Sequence, residues 1–158
     1  MKLSTKGRYG LRALIDLAEY GENEAVSVSS ISERQHLSES YLEQLFRLLK
    51  KAGLVKSIRG AGGGYQLNRA TEEIPVGEVL KALEGDMEAV SCGALSEEST
   101  CDAAEMCVTR HVWKRLNDAI EDALNSMMLS ELVADSKRVH EAAARGEITE
   151  CENLRCSG

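Results

Sequence analysis

Only two residues, His36 and Leu37, separate the close of one helical segment from the cap of the next. So short a connection forces a tight turn between two neighbouring helices. On its N-terminal side, Ser30 and Glu33 have capping-box spacing, which predicts a short helix to about Gln35. On its C-terminal side, Ser38 caps a second helix. Leu37 and Leu42 sit at the N′ and N4 positions of a hydrophobic staple. That helix runs to Lys51, with Leu42, Leu45, Phe46 and Leu49 inward. Lys50 and Lys51 suit its negative end, and Gly53 stops it.

The flanking segments extend the pattern. Thr5 is expected to cap a first helix, with Leu11, Leu14, Ile15 and Ala18 on one apolar face and Gly21 as its stop. After the helix pair, the strand-like runs Leu54–Arg59 and Tyr65–Leu67 flank four glycines, which reads as a β-hairpin with a glycine-rich tip. A short helix follows Pro75, with Val76, Val79, Leu80 and Leu83 inward. Residues 91–103 show no period and read as a loop. From about Ala104 to about Met128 a long helix is expected. Trp113, Leu116, Ile120, Ala123 and Met127 follow 3-4-3-4 spacing along it, a stripe suited to a partner helix.

The fold class is therefore mainly α with a small β-hairpin wing: a winged helix-turn-helix plus a long C-terminal dimerisation helix. The expected organisation is a DNA-binding domain over 1–85 and a ligand-bearing loop over 86–103. A dimerisation helix with a following helical segment spans 104–146, and a polar tail covers 147–158.

Charge supports the division. Residues 1–65 carry 10 Lys and Arg against 7 Asp and Glu, a net of +3, whereas 66–158 carry 9 against 19, a net of −10. A basic head on an acidic remainder fits DNA binding by one part and assembly by the other. No apolar run approaches the roughly 20 residues of a membrane helix, and no apolar signal core follows the basic N-terminus. The expectation is a cytoplasmic protein without a membrane partner. No Ser/His/Asp order, paired-carboxylate motif or nucleotide loop points to an enzyme.

The N-terminal residues of the second helix of a helix-turn-helix meet base edges in the major groove. Here these are Ser38, Ser40, Tyr41 and Gln44, opposite the inward Leu42/Leu45/Phe46 face. A glutamine can pair bidentately with adenine. The hairpin tip offers Arg59 with the flexible neighbours Gly60 and Gly62. An arginine can enter a narrow minor groove, and glycines allow close approach to a phosphate.

Cys92, Cys101 and Cys107 form a C-x8-C-x5-C pattern, and His111 follows four residues after the last. Thiolates are soft ligands for iron–sulfur clusters or zinc. Spacing alone leaves a cluster, zinc and redox thiols open, although the tight cysteine pairs usual for zinc are absent. Residues i+3 and i+4 project to one side of a helix, so His111 can be reached from Cys107. Cys151 and Cys156 read as thiols of the polar tail, and His36 and His140 as surface residues.

LSTKGRYGLRAL, ISERQ, LSESYLEQLF, GLVKSIRGAGGGYQL and IPVGEV resemble the winged-helix Rrf family of bacterial transcription regulators. The likeness covers about residues 1–135, is most specific over 38–65, and is nearest to the branch that controls iron–sulfur cluster assembly genes. It implies a homodimer, crossed through the long C-terminal helix, on a partly palindromic double-stranded operator. Ser38, Ser40, Tyr41, Gln44 and Arg59 match DNA-contacting positions, and Glu43 matches a position that tunes operator choice. The resemblance also implies a [2Fe–2S] cluster held by three cysteines and a histidine, here Cys92, Cys101, Cys107 and His111. In that branch the histidine stands three residues after the last cysteine, where this chain has Arg110. A nitric-oxide-sensing repressor branch uses an N-terminal aspartate as fourth ligand, and the matching Arg8 cannot serve. Another branch regulates cysteine metabolism through a partner enzyme. Cluster-modulated regulation is the leading expectation, with these two branches as alternatives.

Overall fold

The computed structural model describes residues 3–22, 24–90, 92, 93, 95 and 101–147. Six α-helices and one hairpin follow in the order α1 (Thr5–Tyr20), α2 (Val28–Gln35), α3 (Glu39–Lys51), β1 (Val55–Ile58), β2 (Gly64–Leu67), α4 (Val76–Glu84), α5 (Thr109–Asn125) and α6 (Leu129–Ala144).

The caps of the first two helices fall one and three residues earlier than expected. Ser4, not Thr5, caps α1, its hydroxyl accepting from the Lys6 amide. Ser27, not Ser30, caps α2, because its Oγ takes the Ser30 amide at 3.1 Å. Ser38 caps α3 as expected, accepting from the Tyr41 amide. Between α2 and α3, His36 adopts φ 53, the left-handed conformation usual for a helix-ending glycine. Thus His36 makes the turn itself.

The core lies where α1, α2 and α3 meet the hairpin and α4. Leu14, Leu17, Ile31, Leu42, Phe46, Leu49, Leu54, Ile74 and Val79 are sealed within it. Phe46 stacks on Tyr65 of β2, with ring centroids 4.7 Å apart, which fastens the wing to α3. The hairpin is antiparallel, pairing Val55 with Leu67 and Ile58 with Gly64.

A polar network fixes α2 against α1. Asp16, 3% exposed, accepts from Arg34 Nε and Nη2 and from Gln35 Nε2. Gln35 Oε1 accepts in turn from Arg12, and the Arg34 guanidinium lies 4.1 Å from the centre of the Tyr20 ring. A buried carboxylate requires such partners.

The single helix expected from Ala104 to Met128 is replaced by turns over 102–106 and a shorter α5 that ends at Asn125. Backbone pairing accounts for its C-terminal limit. Met127 O accepts from Val76 N and Leu129 N donates to Ile74 O, so 127–129 run extended beside 74–76. Extended backbone there is incompatible with continued helix. The chain then re-enters as α6, which returns to α1. Leu129 and Val133 join the core, while Ser136 and His140 reach the Glu19 carboxylate.

Candidate functional site

Helix α3 divides as its sequence period requires. Leu42, Leu45, Phe46 and Leu49 are buried, and Ser38, Ser40, Glu43 and Gln44 are exposed on the opposite side. Tyr41 differs from expectation. It is half-buried, its hydroxyl donating to Thr5 Oγ1 at 3.3 Å and its ring meeting Tyr9 edge-on at 6.3 Å. Tyr41 therefore links the outer face of α3 to α1. A groove of about 390 Å³ runs along this face, lined by Lys6, Ser40, Tyr41, Glu43, Gln44 and Arg47 among others. Lys6 and Arg47 bring positive charge to it, a contribution the sequence pattern did not single out.

The wing presents Arg59, Gly60 and Gly62, all exposed. Its glycines are not equivalent. Gly60 has φ +117, and its carbonyl accepts the Gly63 amide to close the turn. A Cβ on Gly64 would strike the Val26 carbonyl oxygen. There Val26 and Tyr65 exchange two backbone hydrogen bonds of 2.9 Å, an isolated antiparallel bridge on the outer edge of β2. Gly62 faces open space. Lys50 Nζ donates to Ser57 Oγ at 2.6 Å, linking the end of α3 to β1. Helix α3 and the hairpin are thus joined as one unit, through Phe46 on Tyr65 and Lys50 on Ser57.

The three loop cysteines follow α4 and precede α5 in the chain. Cys92, Cys101 and Cys107 are half-buried, and no disulfide joins them to one another. Cys92 O accepts from Leu95 N, Cys101 O from Ala104 N, and Cys107 O from Arg110 N, so each thiol begins a turn. Cys107 precedes α5. Its Sγ lies 3.2 Å from Thr109 Oγ1, and this contact, followed by the Arg110 amide, draws the thiol pKa below its ordinary value. A lowered thiol pKa favours the thiolate, the form that ligates metals. His111 is exposed in the first turn of α5. Among the described residues, no three His, Cys, Asp or Glu side chains converge as a metal-ligand group. The donor chemistry matches a soft metal centre, although the four expected ligands are not gathered at one point. Arg8, the position matched to an aspartate ligand in one branch, has a buried Nε with no hydrogen-bond partner. Cys151 and Cys156 lie outside the described residues.

Asn117 ties the approach to Cys92 onto α5. Its side chain accepts from Ala89 N and Val90 N and donates to Val90 O. None of the 17 residues of α5 is buried. Val112 is 57% exposed and Leu116 42%, while Trp113 and Ile120 are half-exposed and Ala123 is exposed. Met127, expected as the last member of this stripe, lies beyond the helix end and uses its carbonyl to hold Val76.

A winged helix-turn-helix whose second helix turns a polar face outward is the fold of a DNA-binding regulator. The chain belongs to the Rrf2 family, described as an iron-dependent transcriptional regulator, which matches residues 3–135. It is 43% identical over 145 residues to the transcriptional regulator IscR of Pectobacterium carotovorum, covering 92% of this chain and 86% of that one. It is 47% identical over 133 residues to a putative helix-turn-helix transcriptional regulator of Haemophilus influenzae, covering 84% and 87%. Among solved structures, CymR, the global cysteine regulator of B. subtilis, superposes with a TM-score of 0.68 at 41% identity over 85% of this chain and 97% of its own. IscR of T. potens gives 0.68 at 42% over 88% and 90%. The chain is thus a transcription regulator and not an enzyme. No described helix is long and apolar enough to cross a membrane.

Proposed function

We propose that the chain is a homodimeric regulator whose operator binding is modulated by an iron–sulfur cluster, [2Fe–2S] in type, and that it controls cluster-assembly genes. The observation that carries this reading is the loop of three half-buried thiols, one of them acidified at the start of α5, joined through α4 to a DNA-reading head. The likeness to IscR proteins supports it. Cys92, Cys101, Cys107 and His111 would hold the group. When bound, the cluster supplies an iron centre whose presence and charge depend on iron supply and oxidants.

The rest of the mechanism belongs to the chain's own residues. Ser40 and Gln44 enter the major groove, with Glu43 rejecting ill-matched operators by its charge. Ser38 holds the helix end with its hydroxyl, and Tyr41 sets the helix against α1. Arg59 enters the minor groove, while Gly60 and Gly62 let the wing backbone approach the phosphates. The Val112, Trp113, Leu116, Ile120 and Ala123 side chains of α5, all exposed or half-exposed, meet the same stripe of a second copy. A two-fold dimer then places two heads on a partly palindromic operator.

Anaerobic purification tests the cofactor assignment. The expected result is visible charge-transfer absorption with stoichiometric iron and acid-labile sulfide. Both should be lost when Cys92, Cys101 and Cys107 are replaced together by alanine. Wild-type protein without iron or sulfide after anaerobic reconstitution would refute it, and zinc in their place would reassign the site.

A further inference from the structure

We propose that Glu84 is a positioning residue for operator reading, one that joins the root of the cysteine loop to the recognition helix. Its link to the loop's state rests on the sensing role proposed above.

Glu84 is the last residue of α4. Its Oε1 accepts three hydrogen bonds from the start of α1: Ser4 N at 2.9 Å, Ser4 Oγ at 2.7 Å and Gly7 N at 2.8 Å. The amides of a first helical turn have no partner within their own helix, and a carboxylate there also meets the positive end of the helix dipole. The contact is shaped from both sides. A Cβ on Gly7 would lie 2.5 Å from Glu84 Oε1, and one on Gly10 would lie 2.5 Å from Leu83 Cδ1. Two glycines on one face of α1 thus admit the end of α4 where side chains would hold it off.

The turn that Glu84 grips also supports the reading helix. Thr5, between Ser4 and Lys6, accepts the Tyr41 hydroxyl, and Tyr9 one turn later meets the Tyr41 ring at 81°. Tyr41 stands in the first turn of α3, between Ser40 and the Glu43–Gln44 pair. On its other side, Glu84 is followed by Gly85 with φ +86, where the chain leaves α4 towards Cys92. That outgoing segment is held to α5 by Asn117. A continuous chain of packed and hydrogen-bonded groups therefore runs from the loop root to the base-reading face, the kind of contact through which two sites can share a coupling free energy.

The test uses the full chain, metal-free, and a duplex selected by the wild-type protein from a random pool, with a scrambled duplex as control. Fluorescence anisotropy reads both affinities at one salt concentration. Glu84→Ala should lower affinity for the selected duplex by about tenfold, while scrambled-duplex affinity stays within about twofold. Glu84→Gln retains a carbonyl acceptor and should recover most of the loss. Gly7→Ala, pressing on the same oxygen from α1, should reproduce it, and these two variants decide the matter if Glu84→Ala fails to fold. Unchanged selected-duplex affinity, or an equal fall on both duplexes, would overturn the assignment. In protein reconstituted with iron and sulfide, the wild-type difference between loaded and stripped forms should shrink towards none in Glu84→Ala. A difference that persists undiminished overturns the link to the loop. A wild-type protein with no difference defeats the sensing role instead, and the metal-free comparison still decides Glu84.

Discussion

Replacing Asp16 with alanine tests how the helix-turn-helix is held on α1. Asp16 accepts from Arg34 Nε at 3.0 and 3.2 Å, from Arg34 Nη2 at 2.6 Å and from Gln35 Nε2 at 2.9 Å. Removing one member of a buried charged pair costs about 3–5 kcal/mol, chiefly because the other charge is stranded. The Arg34 side chain keeps 30% exposure and its place over Tyr20, so water can take up part of its bonding. The discounted expectation is a loss of about 3 kcal/mol, from charge-assisted hydrogen bonds worth about 1.5–3 kcal/mol each that do not sum fully. For a chain of this size, that corresponds to a fall in Tm of about 6–12 °C. Urea unfolding followed by circular dichroism, at one chain concentration, gives the measurement. A loss below about 1 kcal/mol would refute the view that Asp16 anchors α2.

The remaining predictions concern the reading surfaces and the assembly. Gln44→Ala should weaken specific binding by about 1–3 kcal/mol with little effect on nonspecific DNA, measured by competition binding. Arg59→Ala should reduce the salt slope of binding by about one if its guanidinium meets a phosphate. Gly64→Ala should destabilise the wing by about 2 kcal/mol, since its Cβ meets the Val26 carbonyl, whereas Gly62→Ala should stay within about 0.5 kcal/mol. Chemical denaturation of the two variants tests that contrast. Leu116→Glu should convert a dimer to a monomer in sedimentation experiments, because it sets a charge in the centre of the α5 stripe.

Features governed by local periodicity were legible in the sequence. The cap and inward face of α3, the hairpin, and the buried Val76, Val79, Leu80 and Leu83 of α4 all follow from spacing within a few residues. Choices between equivalent local signals were less so. Ser27 and Ser30 are both competent caps, and the chain uses the earlier one. The expected helix from Ala104 carried no proline or glycine up to Met128 to break it, and a tertiary contact with residues 74–76 decides where α5 ends. Pairings between distant residues left no local trace. Neither Asp16 with Arg34 nor Glu84 with the Ser4–Gly7 turn follows a helical or strand period, and the half-burial of Tyr41 depends on Thr5 and Tyr9. The cysteine spacing was visible at once, whereas the lowering of the Cys107 thiol pKa depends on its contacts with the Thr109 hydroxyl and the Arg110 amide.

The central claim is that occupancy of the cysteine loop changes how the head binds DNA. The most direct test is an anaerobic titration of one selected operator duplex with cluster-loaded and chelator-stripped protein, alongside the variant with Cys92, Cys101 and Cys107 all changed to alanine. The account predicts that loaded and stripped wild-type protein differ in affinity by about fivefold or more, with the variant matching the stripped form. Equal affinity of all three for every selected operator would contradict it.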